Sequence, residues 1–196
     1  MRPVIIKGKR VALGLLIEED LERLWKWVND KEVTQFLAMF PRVISKEEEQ
    51  KWLQRVLQGD PNNIIFAILL LPNLEHIGNL GLHKIDLIDR NAELGIFIGE
   101  KKYWGQGLGE EAIILALDYA FNVLNLKKVW LRVYEFNKRA IRCYEKVGFK
   151  LVGRLRQHLF RGGRWWDVLI MDILDEEFRR KHRSIIAQMC KDVFKS

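Results

Sequence analysis

The stretch Lys102-Tyr103-Trp104-Gly105-Gln106-Gly107-Leu108-Gly109-Glu110-Glu111-Ala112 decides the fold of this 196-residue chain. It follows a strand-like segment, Asn91 to Ile98, and it leads into an amphipathic segment that runs from residue 109 to about residue 124. Glycines permit a tight turn and let a ligand approach the backbone closely. Unpaired N–H groups at the start of a helix, together with the helix dipole, attract an anion. The stretch therefore predicts a phosphate-binding turn between a strand and a helix.

Other phosphate-binding loops fit this stretch poorly. No Lys-Ser/Thr pair follows the glycines, as a nucleoside-triphosphate loop requires. The three spaced glycines of a dinucleotide-binding fold are not matched either, since Trp104 precedes the Gly-x-Gly pair. Because many Gly-x-Gly turns merely begin a helix, a second element is needed to assign a function.

That second element is NKRAIRCYEKVGF, residues 137–149. Asn137 at the start of a helix can cap it and also offer an amide to a ligand. Tyr144 lies two helical turns further on, on the same face, where its hydroxyl can donate a proton to a leaving thiolate. Taken singly, Asn137 is more often a simple cap and Tyr144 a packed aromatic. Together, behind a phosphate turn and a strand, they form a specific constellation.

These two motifs resemble those of the GNAT superfamily of N-acetyltransferases. YWGQGLGEEA, residues 103–112, looks like the pyrophosphate loop for acetyl-CoA, and residues 137–149 look like the second cofactor motif. The resemblance extends from about Val11 to Leu174. In spacing it is closest to the branch with RimJ/RimL-type protein N-terminal acetyltransferases and spermidine/diamine acetyltransferases. The superfamily usually has Arg or Gln at the position of Trp104, but this branch often tolerates Trp.

The resemblance implies that acetyl-CoA is the co-substrate and that an amine attacks the thioester directly. The strand Ile96-Phe97-Ile98 would hydrogen-bond the pantetheine arm, and backbone N–H groups of the glycine turn would hold the pyrophosphate. Asn137 would contact the cofactor arm, and Tyr144 would protonate the departing thiolate. The cofactor-binding residues implied in this way are Ile96, Phe97, Ile98, Trp104, Gly105, Gln106, Gly107, Leu108, Gly109, Glu110, Asn137 and Tyr144.

A general base is needed as well, because an ammonium group must lose a proton before it attacks. Glu93, on the strand that leads to the cofactor, is our first choice, ahead of Glu32 and Glu135. The alternative for Glu93 is a structural carboxylate that pairs across the sheet. Many GNAT enzymes carry a glutamate on the later strand, where this chain has Arg132.

The order of elements predicts an α/β, or α+β layered, domain. Strands are expected over residues 10–17, 64–71, 76–85, 91–98, 129–134, 149–160 and 164–174. The resemblance implies the GNAT fold: a mixed, mostly antiparallel sheet of about seven strands flanked by helices, with an extra C-terminal helix. Residues 1–175 would form the acetyltransferase domain. Residues 176–196 would be a helical extension of that domain, with Ile185, Ile186, Met189 and Val193 on its buried or dimer-forming side.

The composition is that of an ordinary globular protein, with 48% hydrophobic and 30% charged residues. The longest apolar run, residues 64–71, is far shorter than the roughly 20 residues of a membrane-spanning helix. We therefore expect a cytoplasmic protein without a membrane partner. Two cysteines give no metal-ligand spacing, so no metal is expected. The formal charge of +7 favours polyanionic partners and disfavours a strongly cationic small substrate.

For the acetyl acceptor, the sequence favours a protein or peptide N-terminus over a polyamine. Polyamine-acetylating relatives place carboxylates in two segments that read Leu37-Ala38-Met39-Phe40-Pro41-Arg42 and Gly81-Leu82-His83-Lys84 in this chain. A peptide α-amino group, with an unperturbed pKa near 7.7–8.0, is partly neutral at physiological pH. Polyamines and other small amines stay open as alternatives, as do a homodimer and an association with the ribosome.

Two further alternatives belong to other classes of protein. One is a CoA-binding sensor without catalysis. The other is a nucleic-acid-binding module, favoured by a late hairpin that combines arginine with tryptophan. The residues concerned are Arg154, Arg156, Arg161, Arg164, Trp165 and Trp166.

Overall fold

The computed structural model describes residues 2–193. Its strands are β1 Val4–Lys7, β2 Val11–Gly14, β3 Ile64–Leu70, β4 Glu75–Asp86, β5 Asn91–Ile98, β6 Lys128–Tyr134, β7 Lys150–Arg161 and β8 Arg164–Leu174. Its α-helices are α1 Leu21–Asn29, α2 Lys31–Thr34, α3 Lys46–Gln58, α4 Leu108–Asn122, α5 Lys138–Val147, α6 Asp175–Lys181 and α7 Ile185–Val193. Short 3-10 turns at Glu18–Asp20 and Lys101–Tyr103 precede α1 and α4.

The strands form one sheet in the order β1-β2-β3-β4-β5-β6-β8-β7. All neighbours are antiparallel except β5 and β6, which run parallel. That parallel pairing is short: it joins Asn91 to Lys128, Ala92 to Val129 and Glu93 to Trp130. Beyond Glu93, β6 continues beside β8 alone, so β5 and β6 separate and leave one edge of β5 without a strand partner.

Both faces of the sheet are covered, because alternate side chains of a strand point to opposite faces. The larger core lies under α4, where Phe66, Leu80, Ala116 and Leu131 are fully buried. The second core lies under α1 and α3 on the other face and includes Leu24, Trp27 and Leu53. The layered α/β architecture expected from the sequence is confirmed.

The sheet has eight strands among the described residues, where the sequence predicted about seven. The additional strand is β1, which the sequence analysis did not assign. It folds back on β2 through a turn in which Gly8 N donates to Val11 O at 2.9 Å, and it buries Ile6 in the core. A strand of four residues gives too short a pattern to be recognised without the neighbour that it pairs with.

The C-terminal helix predicted from residue 176 onward is divided into α6 and α7. His182 Nε2 bonds the Val147 carbonyl at 2.8 Å, which fixes the chain at the end of α6. The carboxylate of Asp118 on α4 then accepts from Ile185 N at 2.7 Å and from Ile186 N at 3.1 Å, and so caps α7. Partners distant in sequence therefore create the break.

The extension packs on the same core as the rest of the chain. Phe178 is fully buried and its ring lies 5.4 Å from that of Phe121. Ile185 and Ile186 pack against the larger core, as expected, whereas Met189 is half exposed. The contact predicted for Val193 lies outside the described side chains. Within residues 2–193, no helix combines the length and the apolar character that crossing a membrane requires.

Candidate active site

A cavity of about 680 Å³ opens where β5 and β6 separate. One wall is β5 from Glu93 to Ile98, and the start of α4 and one face of α5 form the others. Its far end is closed by Phe36, Leu37 and Ala38 from the segment between α2 and α3, and by residues of β7 and β8. All predicted site residues except Gln106 line this cavity.

The glycine turn has the backbone geometry of an anion site. Gly105 and Gly107 have φ angles of 76° and 77°, in the left-handed region that glycine adopts without a steric cost. Gly107 is the N-cap of α4 and no side chain caps that helix. The N–H groups of Leu108, Gly109 and Glu110 therefore have no partner within the helix and can hold a phosphate.

Two residues distant in sequence brace this turn. Glu111 Oε1 accepts from Lys9 N at 2.7 Å and from Arg10 N at 2.8 Å. Arg10 Nη1 in turn donates to the Gln106 carbonyl at 2.8 Å. The Gln106 side chain donates to the Lys102 carbonyl, on the side of the turn away from the cavity. The Gln106 side chain therefore supports the turn from behind, and the backbone N–H of Gln106, which is the group expected to bind the pyrophosphate, is not used by this bond.

The edge of β5 offers main-chain groups to the cavity. Its other edge is paired with β4, where Leu80, Asn79 and Gly78 face Ile96, Phe97 and Ile98. An extended ligand can therefore hydrogen-bond to the free edge as an added strand does. The Ile98 carbonyl is already used, since it accepts from Trp104 Nε1 at 2.8 Å.

Trp104 makes contacts through the face of its ring as well as through its indole nitrogen. The guanidinium of Arg139 lies over the Trp104 ring at 4.3 Å, a cation–π contact. The indole thus ties the end of β5 to the start of the glycine turn and to α5.

Helix α5 presents Asn137 and Tyr144 to the cavity. Asn137 caps the helix, because its Oδ1 accepts from Ala140 N at 3.2 Å. Its Nδ2 group has no acceptor within residues 2–193, so capping leaves the amide available to a ligand. The Tyr144 hydroxyl likewise has no hydrogen-bond partner in the described part of the chain. Burial, together with the neighbouring Cys143, raises the pKa of Tyr144, so the phenol is protonated at neutral pH.

Cys143, next to Tyr144 on α5, also lines the cavity. Burial, followed by the nearby charge of Glu110, raises the pKa of its thiol to about 11. The thiol is therefore protonated at neutral pH.

Glu93 lies in the cavity floor with both carboxylate oxygens paired. Oε1 accepts from Arg132 Nε at 2.7 Å, and Oε2 accepts from Lys84 Nζ at 2.8 Å. Burial alone would raise the pKa of Glu93, but the hydrogen bonds from Lys84 and Arg132 lower it below its usual value. This geometry favours the alternative reading, a carboxylate that pairs across the sheet.

The two weaker base candidates lie outside the cavity lining. Glu32 is exposed and pairs with Lys101 at 3.4 Å. Glu135 accepts from Asp167 N at 2.9 Å through Oε1. Both carboxylates therefore pair with residues that do not line the cavity.

Several lining residues were not found from the sequence. Arg139, Arg142 and Lys146 project from α5 toward the cavity, and their spacing of three and four residues is a signal that one helix face carries them. His158 and Leu159 reach the cavity because the β7–β8 register shifts between Leu155 and Leu159. Such a bulge cannot be predicted from a local pattern in the sequence.

Three of the four arginines of the late hairpin contact other residues of the protein. Arg154 donates to Asp167 Oδ2 at 2.8 Å, and the Arg164 guanidinium lies 3.3 Å above the Trp166 ring. Arg161 donates to backbone carbonyls of the segment between α2 and α3. These contacts leave fewer free guanidinium groups for a nucleic acid than the sequence suggested.

Comparisons with known proteins agree with this geometry. The family of the acetyltransferase (GNAT) domain matches residues 10–150. An uncharacterized N-acetyltransferase of Bacillus licheniformis is 29% identical over 174 residues, which are 87% of this chain and 96% of that protein. Spermidine N(1)-acetyltransferase of Escherichia coli strain K12 is 36% identical over 110 residues, which are 56% of this chain and 59% of that protein.

A solved structure extends the likeness to three dimensions. Spermidine N-acetyltransferase from Vibrio cholerae, in complex with CoA and spermine, superposes with a TM-score of 0.81 at 29% sequence identity. The match covers 88% of this chain and 99% of that chain. Acetyl-CoA is the co-substrate of GNAT acetyltransferases, and this chain belongs to that family.

Proposed function

We propose that the protein transfers the acetyl group of acetyl-CoA to the primary amine of a small molecule. Support comes from the relatives whose names specify an acceptor, since the enzymes of E. coli and V. cholerae act on spermidine. This acceptor class takes the place of the protein N-terminus that the sequence favoured. The absence of carboxylates from residues 37–42 and 81–84 argues only against a polyamine. It does not argue against other small amines.

Different residues along the cavity bind different parts of acetyl-CoA in this proposal. Acetyl-CoA supplies the acetyl thioester. The N–H groups of residues 105–110 hold its pyrophosphate, with Lys146 and Arg142 adding positive charge beside them. The free edge of β5 orients the pantetheine arm, and the Asn137 amide contacts it. This main-chain binding brings the thioester carbonyl to a fixed place from which an amine can attack.

Tyr144 acts as the proton donor in this proposal. The amine nitrogen forms a bond to the carbonyl carbon, the C–S bond breaks, and the sulfur leaves as a thiolate. The Tyr144 hydroxyl, which is protonated at neutral pH, donates to that thiolate. Glu93 is a weak base because two cations hold it, so we place loss of the ammonium proton to water ahead of transfer to Glu93.

The charges of the cavity bear on the kind of small amine. Its two carboxylates are Glu93, held by Arg132 and Lys84, and Glu110, paired with Lys146 at 3.1 Å. The side chains at the far end of the cavity are apolar except for His158. An amine with one charge therefore needs neither of these carboxylates as a counter-ion. Each further ammonium group of a polyamine would have to displace a cation that already pairs with one of them.

A panel of amines tests this proposal. Thiol release from acetyl-CoA would be measured with spermidine, with hexylamine as a singly charged amine, and with a short peptide that begins with Ala. We expect kcat/KM to be higher for a small amine than for the peptide. The Tyr144→Phe variant should lose roughly 10²-fold or more in turnover while its affinity for acetyl-CoA stays within about twofold.

Two results would contradict the proposal. A higher kcat/KM for the peptide would restore the protein N-terminus as the acceptor. Binding of acetyl-CoA without turnover of any amine, and without an effect of Tyr144→Phe, would favour the CoA-binding sensor instead.

A further inference from the structure

Arg161, the last residue of β7, reaches across the protein to the segment between α2 and α3. Its Nη1 group donates to the Gln35 carbonyl. Its Nη2 group lies 3.3 Å from the Leu37 carbonyl and 3.4 Å from the Phe40 carbonyl. One guanidinium therefore contacts three carbonyls that lie within six residues of chain, more than 120 residues away in sequence.

The same guanidinium is held between two aromatic rings. It lies 4.9 Å from the centroid of Phe40 and 5.1 Å from that of Tyr134. Phe40 belongs to the contacted segment and Tyr134 ends β6. Arginine suits this position because its planar group carries five N–H donors and also stacks on aromatic faces.

The contacted segment forms the far end of the cavity. Phe36, Leu37 and Ala38 line it, whereas the Arg161 side chain itself does not. The backbone bonds within the segment are local, such as Leu37 N to Thr34 O at 2.8 Å and Arg42 N to Met39 O at 2.9 Å. Local bonds fix the shape of a turn but do not fix its distance from the sheet. The contacts of Arg161 hold residues 35–40 toward the sheet, together with the Phe36 ring, which lies 6.0 Å from that of Phe136.

We propose that Arg161 is a positioning residue that sets which acceptors are used, by holding residues 35–40 over the cavity. The inference rests on the proposed function, since it takes the far end of the cavity as the place where the amine binds. Arg161 acts through Phe36 and Leu37, whose side chains define the width available to the acceptor. It has no part in binding acetyl-CoA at the glycine turn.

The test compares Arg161→Gln and Arg161→Lys with a matched control, Arg164→Gln. Arg164 belongs to the same hairpin, and its contact with Trp166 lies within that hairpin. The first readout needs no activity: amide hydrogen exchange of residues 36–40, which we expect to quicken about tenfold or more in Arg161→Gln. Arg161→Lys should fall between, because an ammonium group cannot span three carbonyls, and Arg164→Gln should match the wild type.

The second readout separates the two ends of the cavity. We expect the KM for hexylamine and for spermidine to rise about tenfold in Arg161→Gln, a loss of the size expected when hydrogen bonds to a charged group are removed. The KM for acetyl-CoA should change by less than about twofold.

Three results would overturn the proposal. Unchanged exchange in Arg161→Gln would show that Arg161 does not hold the segment. Faster exchange with an unchanged KM for both amines would show that holding it does not affect the acceptor. Weaker acetyl-CoA binding together with a lower melting temperature would indicate a general structural role. If the wild type acetylates no amine, the proposed function fails, and the exchange result still decides whether Arg161 holds the segment.

Discussion

Two glycines carry the backbone angles on which the turn that we propose for acetyl-CoA binding depends. Gly105 and Gly107 both have φ near +76°, and Gly107 begins the helix whose first N–H groups face the cavity. A side chain at either position would strain the backbone, and at Gly107 its Cβ would lie 3.2 Å from Arg10 Nη2. The turn thus has little tolerance for substitution, for reasons of conformation and of ligand approach.

A comparison of Gly107→Ala with Gly163→Ala separates the effect on backbone conformation from the effect on ligand approach. Gly163 offers a matched control, because its φ is also +77° and an added Cβ would meet nothing within 4 Å. Both variants should lose roughly 1–2 kcal/mol of folding free energy from the left-handed backbone. Only Gly107→Ala should also bind acetyl-CoA more weakly, by about tenfold, as measured by calorimetry. Equal acetyl-CoA affinity in both folded variants would contradict the assignment of the turn.

At the scale of elements, α3 carries a buried carboxyl that the proposed reaction does not use. Burial, with the added charge of Glu48, raises the pKa of Glu49 from its usual 4.5 to about 7. The unfolded chain releases this proton near pH 4.5, whereas the folded protein keeps it until about pH 7. The contribution of Glu49 to stability is therefore complete below pH 4.5 and is lost as the pH rises through 7.

Glu49→Gln should remove this pH dependence. Between pH 5 and pH 8 the unfolding free energy of the wild type should fall by roughly 1–3 kcal/mol more than that of the variant, because the Glu49 pKa differs between the folded and unfolded states. Denaturant unfolding at several pH values measures the difference. Glu47→Gln, on the exposed side of the same helix, serves as the control and should follow the wild type. Parallel curves for the wild type and Glu49→Gln would show that Glu49 ionises normally.

At the scale of the whole molecule, the C-terminal extension shares the core of the domain. Phe178 is fully buried against Phe121, so removing its ring leaves a cavity inside the main core. Phe178→Ala should lower the unfolding free energy by roughly 3–5 kcal/mol and keep a single transition. Met189→Ala, on the half-exposed side of α7, should change it by less than about 0.5 kcal/mol. A separate early transition in Phe178→Ala would show that residues 176–193 fold apart from residues 2–175.

The sequence predicted well what neighbouring residues decide. The glycine turn, the Asn137 cap and seven of the strands follow from local patterns, because backbone angles and side-chain periodicity act within a few residues. Contacts between residues that lie far apart in the sequence could not be predicted from local patterns. Arg10 and Glu111 brace the turn from about 100 residues apart, and both oxygens of Glu93 are taken by partners on other strands. For the same reason β1, the break between α6 and α7, and the bulge that brings His158 to the cavity were missed.

The raised pKa of the Cys143 thiol bears on a side reaction that a thioester substrate makes possible. A thioester is attacked by thiolates, and this sulfur lines the cavity in which we propose that acetyl-CoA binds. With a pKa of about 11 in place of 9.0, the thiolate fraction at neutral pH falls roughly a hundredfold. We therefore expect self-acylation of Cys143 by thioester exchange to be slow, so that the acetyl group stays on CoA until an amine attacks it.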